Sequence, residues 1–187
     1  VNALSVEFKA EVRRDGTRYY MDFSRGLTRT PLKKVGTTSE TGTRITFVPD
    51  NEIFTQTTEF RYEIIAERMR ELAFLNPTVS IDLRDERELE EGQPKQDTFH
   101  YAGGVRDFVK YLDESRDSFM QQPIYVEGTL ENVPVELAME YNNSFTENVH
   151  SYVNNINTRE GGTHISGFRR ALTRAFKSYA EKNNIIK

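Results

Sequence analysis

The chain has 187 residues, long enough for one domain or two small ones with a substantial core. Charged residues make up 29%, apolar ones 36%, and the formal net charge is −4, which points to a folded chain and excludes a uniformly basic coat for nucleic acid, though not a local basic face. Cysteine is absent, which removes disulfide frameworks, cysteine zinc sites and thiol nucleophiles. No apolar run reaches the ~20 residues of a bilayer span, and no signal peptide precedes the first strand, so a cytoplasmic location without membrane attachment is expected.

The first residues, Val1 to Ser5, carry no initiator Met and read as the tail of a helix, and Asn183 to Lys187 close just after another. Chemistry is therefore expected to lie outside both ends. Val6, Phe8, Ala10 and Val12 alternate with charged residues, the period-two pattern of a half-buried strand. Asp15-Gly16 supplies a turn with Gly16 at positive φ, and residues 18–23 return as a second strand. Residues 24–41 read as a polar connection broken by Gly26, Pro31 and Gly36, after which residues 42–48 resume a strand that Pro49 ends. Residues 59–75 carry Phe60, Ile64, Ile65, Met69, Leu72 and Leu75 near helical spacing, with Thr58 as the expected cap and Asn76-Pro77 as the stop.

Val79, Ile81 and Leu83 form a further strand, residues 85–96 a charged hairpin tip, and residues 98–101 its return. Gly103-Gly104 leads into a short helix with Val105, Phe108, Val109 and Leu112 on one face. Residues 113–122 read as a polar linker, and a domain boundary is expected near Gln122. Residues 124–127, 133–141 and 147–154 then read as three strands joined by short turns, and after Gly161-Gly162 a helix capped by Thr163 runs to about Lys182. Strands followed by helices without regular βαβ alternation make this an α+β chain of two units.

Three stretches carry chemistry. Gly42 opens a strand and lets a ligand approach the backbone, while the Thr43 hydroxyl both donates and accepts and so suits the edge of a purine; an ordinary strand start is the simpler alternative. Residues 154–164 are dense in asparagine and glycine, demand unusual torsions and lead into a helix N-terminus, where anions bind; a long capped turn is the simpler alternative, with His164 as a packing or hydrogen-bonding residue. The last helix sets an apolar stripe of Ile165, Phe168, Leu172, Phe176 and Tyr179 against Arg169, Arg170, Arg174 and Lys177, cations suited to a phosphate backbone or merely to solvent. Glu86, Glu88, Glu90 and Glu91 read as solvation, and no metal-ligand spacing, phosphate-binding glycine loop or nucleophile elbow is present.

Four stretches in this order resemble the DNA gyrase B family, the ATPase subunits of type IIA topoisomerases in the GHKL superfamily. They are Val1-Asn2-Ala3-Leu4-Ser5, residues 42–50, Arg68-Met69-Arg70-Glu71-Leu72-Ala73-Phe74-Leu75-Asn76, and Glu160-Gly161-Gly162-Thr163-His164 with Gly167-Phe168-Arg169. The resemblance spans essentially the whole chain, and the B protein of topoisomerase IV is a close relative. It implies the C-terminal half of a GHKL (Bergerat) ATPase α/β sandwich over residues 1–122, and the start of a transducer domain of the ribosomal protein S5 domain 2-like kind over residues 123–187.

The resemblance further implies ATP and Mg2+ as cofactors, dimerisation on ATP binding, the DNA gyrase A protein as a partner, and double-stranded DNA as the substrate. Catalytic and metal-binding residues are expected elsewhere: the general base and magnesium ligand upstream of Val1, and the γ-phosphate lysine downstream of Lys187, so that this stretch alone is expected to be inactive. Thr43 matches the threonine that helps hold adenine, Gly42 precedes it, Ile45 matches a pocket wall, and Arg14 matches an arginine at the pocket mouth where coumarin-type inhibitors bind. Arg169, Arg170, Arg174 and Lys177 match a helix facing the cavity that a captured duplex traverses. The alternatives are a nucleotide- or inhibitor-binding or interaction module, another GHKL protein such as a mismatch-repair ATPase, and a plain nucleic-acid-binding domain.

Overall fold

The computed structural model describes residues 1–90 and 92–186, the side chains of residues 88–90 excepted. The chain is α+β and forms two compact units, Val1–Arg61 and Tyr62–Lys187.

The first unit is an antiparallel sheet in the order β3-β2-β1-β4, from β1 Ser5–Arg14, β2 Thr17–Ser24, β3 Leu27–Thr37 and β4 Gly42–Pro49. Asp15 and Gly16 both take positive φ, 51° and 71°, the mirror-image turn whose twist matches a two-residue hairpin. Residues 24–41, expected as a polar connection, instead supply β3. It is an edge strand, so its polar side chains need no apolar alternation, and Pro31 sits at a register break between the pairs Tyr20↔Lys33 and Asp22↔Thr30, where a missing N–H does not interrupt the ladder.

One end of the sheet is tied together by Asp50, which is 1% exposed. Its carboxylate pairs with Arg25 at 2.7 Å and accepts the Glu52 N–H at 3.0 Å, while its own N–H donates to the Leu4 carbonyl. Arg25 lies in the β2–β3 turn and its N–H donates to the Ser5 carbonyl, so the start of β1, the β2–β3 turn and the exit of β4 share one network.

The second unit begins with α1, Tyr62–Leu75. The sequence pattern predicts a start at residue 59 with Thr58 as the cap. The helix starts later because the Thr57 hydroxyl accepts the Glu59 N–H in a local turn, and Phe60 packs edge-to-face on Phe47 at 6.1 Å, which holds that stretch on the sheet. Helix α1 packs on the hairpin of β5, Ile81–Glu90, and β6, Gln93–Phe99, around Tyr62, Ala66, Ala73 and Phe99. The charged stretch 85–96 is therefore mostly ladder, with a register break between Asp85 and Leu89. Glu86 pairs with Arg84 at the surface; Glu91 and the side chains of Glu88 and Glu90 lie outside the described residues.

Phe74 is the centre of the aromatic core. It stacks on Tyr101 at 3.7 Å and on Phe108 of α2, Val105–Leu112, at 5.0 Å. Gly103-Gly104 makes this approach possible. The Asp107 carboxylate accepts the Gly103 N–H at 3.1 Å and occupies the space a side chain there would need, and Gly104 starts α2 at φ 59°.

Residues 113–122, expected as a polar linker, bond to residues 141–143: Asn142 donates to Asp113 at 2.6 Å, Asn143 to Asp117 at 2.8 Å, and the Phe119 N–H to the Tyr141 carbonyl at 2.9 Å. Strands β7, Ile124–Leu130, and β8, Val133–Met139, form a hairpin as expected, turned by Glu131 and Asn132 at positive φ. The expected third strand over residues 147–154 is reduced to β9, Tyr152–Val153, paired with β10, Ile156–Asn157. Helix α3, Thr163–Lys182, follows; Gly162 occupies the cap position and Thr163 is its first residue rather than the expected cap. None of its residues is buried, and Phe176 and Tyr179 on its apolar stripe are more than half exposed. No described helix is long and apolar enough to cross a membrane.

Replacing Phe74 by Ala should destabilise the second unit by about 3–5 kcal/mol, the usual cost of emptying a buried aromatic site. Urea denaturation followed by tyrosine fluorescence measures it.

Candidate functional site

Residues opposite one another in an antiparallel ladder share a face, so the pairings Phe8↔Phe23, Ala10↔Met21, Val12↔Tyr19 and Arg14↔Thr17, with Phe8↔Phe47, Ala10↔Ile45 and Val12↔Thr43, define one side of the first unit's sheet. That side is apolar and carries three of the expected site residues together: Arg14, Thr43 and Ile45. Arg14 is exposed and lies 3.5 Å from the Asp15 carboxylate, and Ile45 is about half exposed. Gly42, at φ 146° and paired with Arg13, opens the strand one residue before Thr43, and a side chain there would meet nothing closer than the Arg13 guanidinium.

The opposite side is polar. A cleft of about 220 Å³ there is lined by Glu11, Arg13, Arg18 and Arg44, and Thr43 and Ile45 take no part in it. An open apolar surface with one hydroxyl and one guanidinium at its margin fits a flat heterocycle with a polar edge better than it fits a phosphate. Among the described residues no group of three His, Asp or Glu side chains converges.

On α3, the Arg169 guanidinium donates to both Glu147 carboxylate oxygens at 3.1 Å, and Lys177 lies 3.8 Å from Glu181. Both pairs are exposed and worth little in water, so neither withdraws its cation from a stronger anion. Arg170 and Arg174 show no ion pair among the described residues.

The structure also joins two stretches that sequence reasoning singled out separately. Glu71, near the C-terminal end of α1, accepts hydrogen bonds from the Arg68 guanidinium one turn earlier, from the Tyr152 hydroxyl and from the Asn157 amide at 3.3 Å. Arg68 also donates to the Asn155 carbonyl at 2.9 Å, and the Asn155 amide donates to Asn76 at 3.1 Å. Asn76 in turn donates to the Leu72 carbonyl at 2.7 Å and closes the end of α1. Asn154 and Asn155 hold φ of 50° and 64°, the tight turn that points this hairpin at the helix. Beyond it, the Thr158 hydroxyl bonds Ser151 and lies 3.0 Å from His164 Nε2 in the first turn of α3. Glu71 and Tyr152 carry no sequence signal of their own; the hint is that Glu71 belongs to the Arg68–Asn76 motif and Tyr152 lies just before the stretch dense in asparagine and glycine.

Burial pushes the Glu71 carboxyl up, but the bonds from Tyr152 and Arg68 outweigh it and hold it below the ordinary 4.5. The same environment, burial first and then the bond to Glu71, raises the Tyr152 phenol well above its ordinary range. A carboxyl lowered by folding contributes stability that is complete above its unfolded value and is lost as pH falls through its folded value. The urea midpoint of the second unit should therefore drop from about pH 6 to about pH 3, across the carboxylate range, and Glu71→Gln should flatten part of that slope.

A family model described as DNA gyrase B matches residues 104–187. The chain is 49% identical over its full length to the DNA gyrase B protein of Halalkalibacterium halodurans, covering 29% of that protein. It is 47% identical over its full length to that of Cytophaga aurantiaca, covering 39% of it. Among solved structures, all of the chain superposes on half of the 43K ATPase domain of Thermus thermophilus gyrase B, in complex with an aminocoumarin, with a TM-score of 0.81 and 36% identity. The chain thus spans well under half the length of these two relatives. These relatives favour a gyrase reading over topoisomerase IV, over a mismatch-repair ATPase and over a binding module alone.

Proposed function

Since the chain belongs to the DNA gyrase B family, we propose that it is the part of an ATP-driven type IIA topoisomerase subunit that closes one wall of the nucleotide site and relays its occupancy. The whole protein, working in the cytoplasm with the DNA gyrase A protein, would couple ATP hydrolysis to strand passage and negative supercoiling of double-stranded DNA, with two copies dimerising on ATP.

The observation that supports this reading is the ladder register that sets Arg14, Thr43 and Ile45 on a single apolar side of the sheet. The Thr43 hydroxyl contacts the polar edge of the adenine, Ile45 packs on its ring, Gly42 keeps the backbone accessible, and Arg14 guards the margin, where an aminocoumarin such as the one in the Thermus thermophilus relative would also bind. ATP, when bound, supplies the phosphoanhydride whose hydrolysis resets the cycle. The general base, the Mg2+ ligand and the γ-phosphate lysine come from outside these residues, which alone would not turn over. We place the division between ATP-binding and transducer parts near Gln122. Arg169, Arg170, Arg174 and Lys177 would face the captured duplex.

In the complete subunit, Thr43→Ala should weaken nucleotide binding by about 0.5–1.5 kcal/mol, the net worth of one hydrogen bond; isothermal titration with a non-hydrolysable ATP analogue reads this, and an unchanged affinity would count against the assignment. Reversing the charge of Arg170 and Arg174 together should lower DNA-stimulated ATP turnover and spare the basal rate. Equal loss of both rates would mark a folding defect instead.

A further inference from the structure

We infer that Glu71 is a positioning residue that fixes the β9–β10 hairpin against α1, and through it the direction in which α3 departs, so that a displacement of α1 is passed to α3 at this carboxylate. The inference rests on the reading of the chain as the ATP-responsive part of a topoisomerase subunit, and it names the joint that reading requires but does not identify.

The hairpin does not hold itself. Its ladder has two residue pairs, Ile156↔Val153 and Asn157↔Tyr152, and a lone two-stranded hairpin is marginal in water. Four bonds instead tie it to α1: Tyr152 to Glu71, Asn157 to Glu71, Arg68 to the Asn155 carbonyl, and Asn155 to Asn76. Two of the four end on the same carboxylate, and a third comes from the arginine paired with it. If Glu71 moves away, Tyr152 and Asn157 lose their acceptor in a partly buried place, so the hairpin has two alternatives, docked with its donors satisfied or released to water. The docked form continues through Thr158, which bonds Ser151 on one side and His164 on the other, into the first turn of α3. The route is a chain of contacts from the end of α1 to the start of α3, with a switchable element in its middle, as a coupling mechanism needs.

Tyr152→Phe removes the hydroxyl but keeps the ring, whose centroid lies 6.3 Å from that of Phe108, so it tests the bond without emptying the core. Glu71→Gln keeps the size of the side chain and removes its charge. The full-length protein carrying each change, and both together, is assembled with the gyrase A protein. Two readouts are taken: supercoils introduced per ATP hydrolysed, and hydrogen exchange of residues 151–166. The expected result is a fall of about tenfold in supercoils per ATP, as for loss of a hydrogen bond to a charged acceptor, with KM for ATP unchanged. Faster exchange should extend from the hairpin into the first turn of α3, and the double variant should be no worse than the worse single one. Faster exchange confined to the hairpin, or an unchanged ratio of supercoils to ATP in both variants, would overturn the inference. Should the unaltered protein show no DNA-dependent ATP turnover, the proposed function falls, and the spread of exchange into α3 alone then decides whether Glu71 sets that helix.

Discussion

A carboxylate that receives three side-chain donors from two separate stretches of chain imposes a geometry that neither stretch has alone. Glu71 does this in the second unit: it binds Arg68 on its own helix and Tyr152 and Asn157 from a hairpin about eighty residues further along. Its partial burial makes the arrangement exacting, because a buried donor left without an acceptor costs more than a satisfied one contributes. The Asn155 amide links the turn at Asn154-Asn155 to Asn76 at the end of α1, and the Thr158 hydroxyl meets His164 at the start of α3.

The first unit answers the same problem with a different residue. Asp50 is buried, and its pairing with Arg25 gathers three chain segments at one end of the sheet. Removing Arg25 would leave the buried Asp50 charge uncompensated, so the network specifies the arrangement more than it adds net stability. With the strands anchored at that end, the sheet keeps one polar and one apolar side. The residues proposed to meet a nucleotide lie on the apolar side of the sheet.

Much of this arrangement is legible in the sequence because local chemistry and final structure agree. Strict alternation from Val6 to Val12, the Asp15-Gly16 turn, the helical spacing of Ile65, Met69 and Leu72, and the double glycine before Val105 each have one good local solution. The misses share a cause. Strand β3 is held by its partner's ladder rather than by its own apolar pattern. The late start of α1 depends on Phe60 meeting Phe47, and the tether of residues 113–122 depends on Asn142 and Asn143. The candidate site divides in the same way. Thr43 and Arg14 are proposed from family resemblance, and their common side of the sheet follows from strand register. The meeting of Glu71 with Tyr152 has no short-range signature, since a hydroxyl and a carboxylate far apart in sequence say nothing about each other.

The distribution of burial separates two kinds of residue. Those that hold the fold, such as Phe74, Asp50 and Ala73, are shielded from water. Those proposed to meet nucleotide or DNA, such as Ile45, Arg14 and the cations of α3, are exposed and add little to stability by themselves. Glu71 belongs to neither group. Its environment is only partly closed and its partners come from two elements, so its bonds are strong enough to select one arrangement and accessible enough to be broken. A residue of that kind suits a joint, because a fully buried pair would lock the two elements together and a fully exposed one would not hold them.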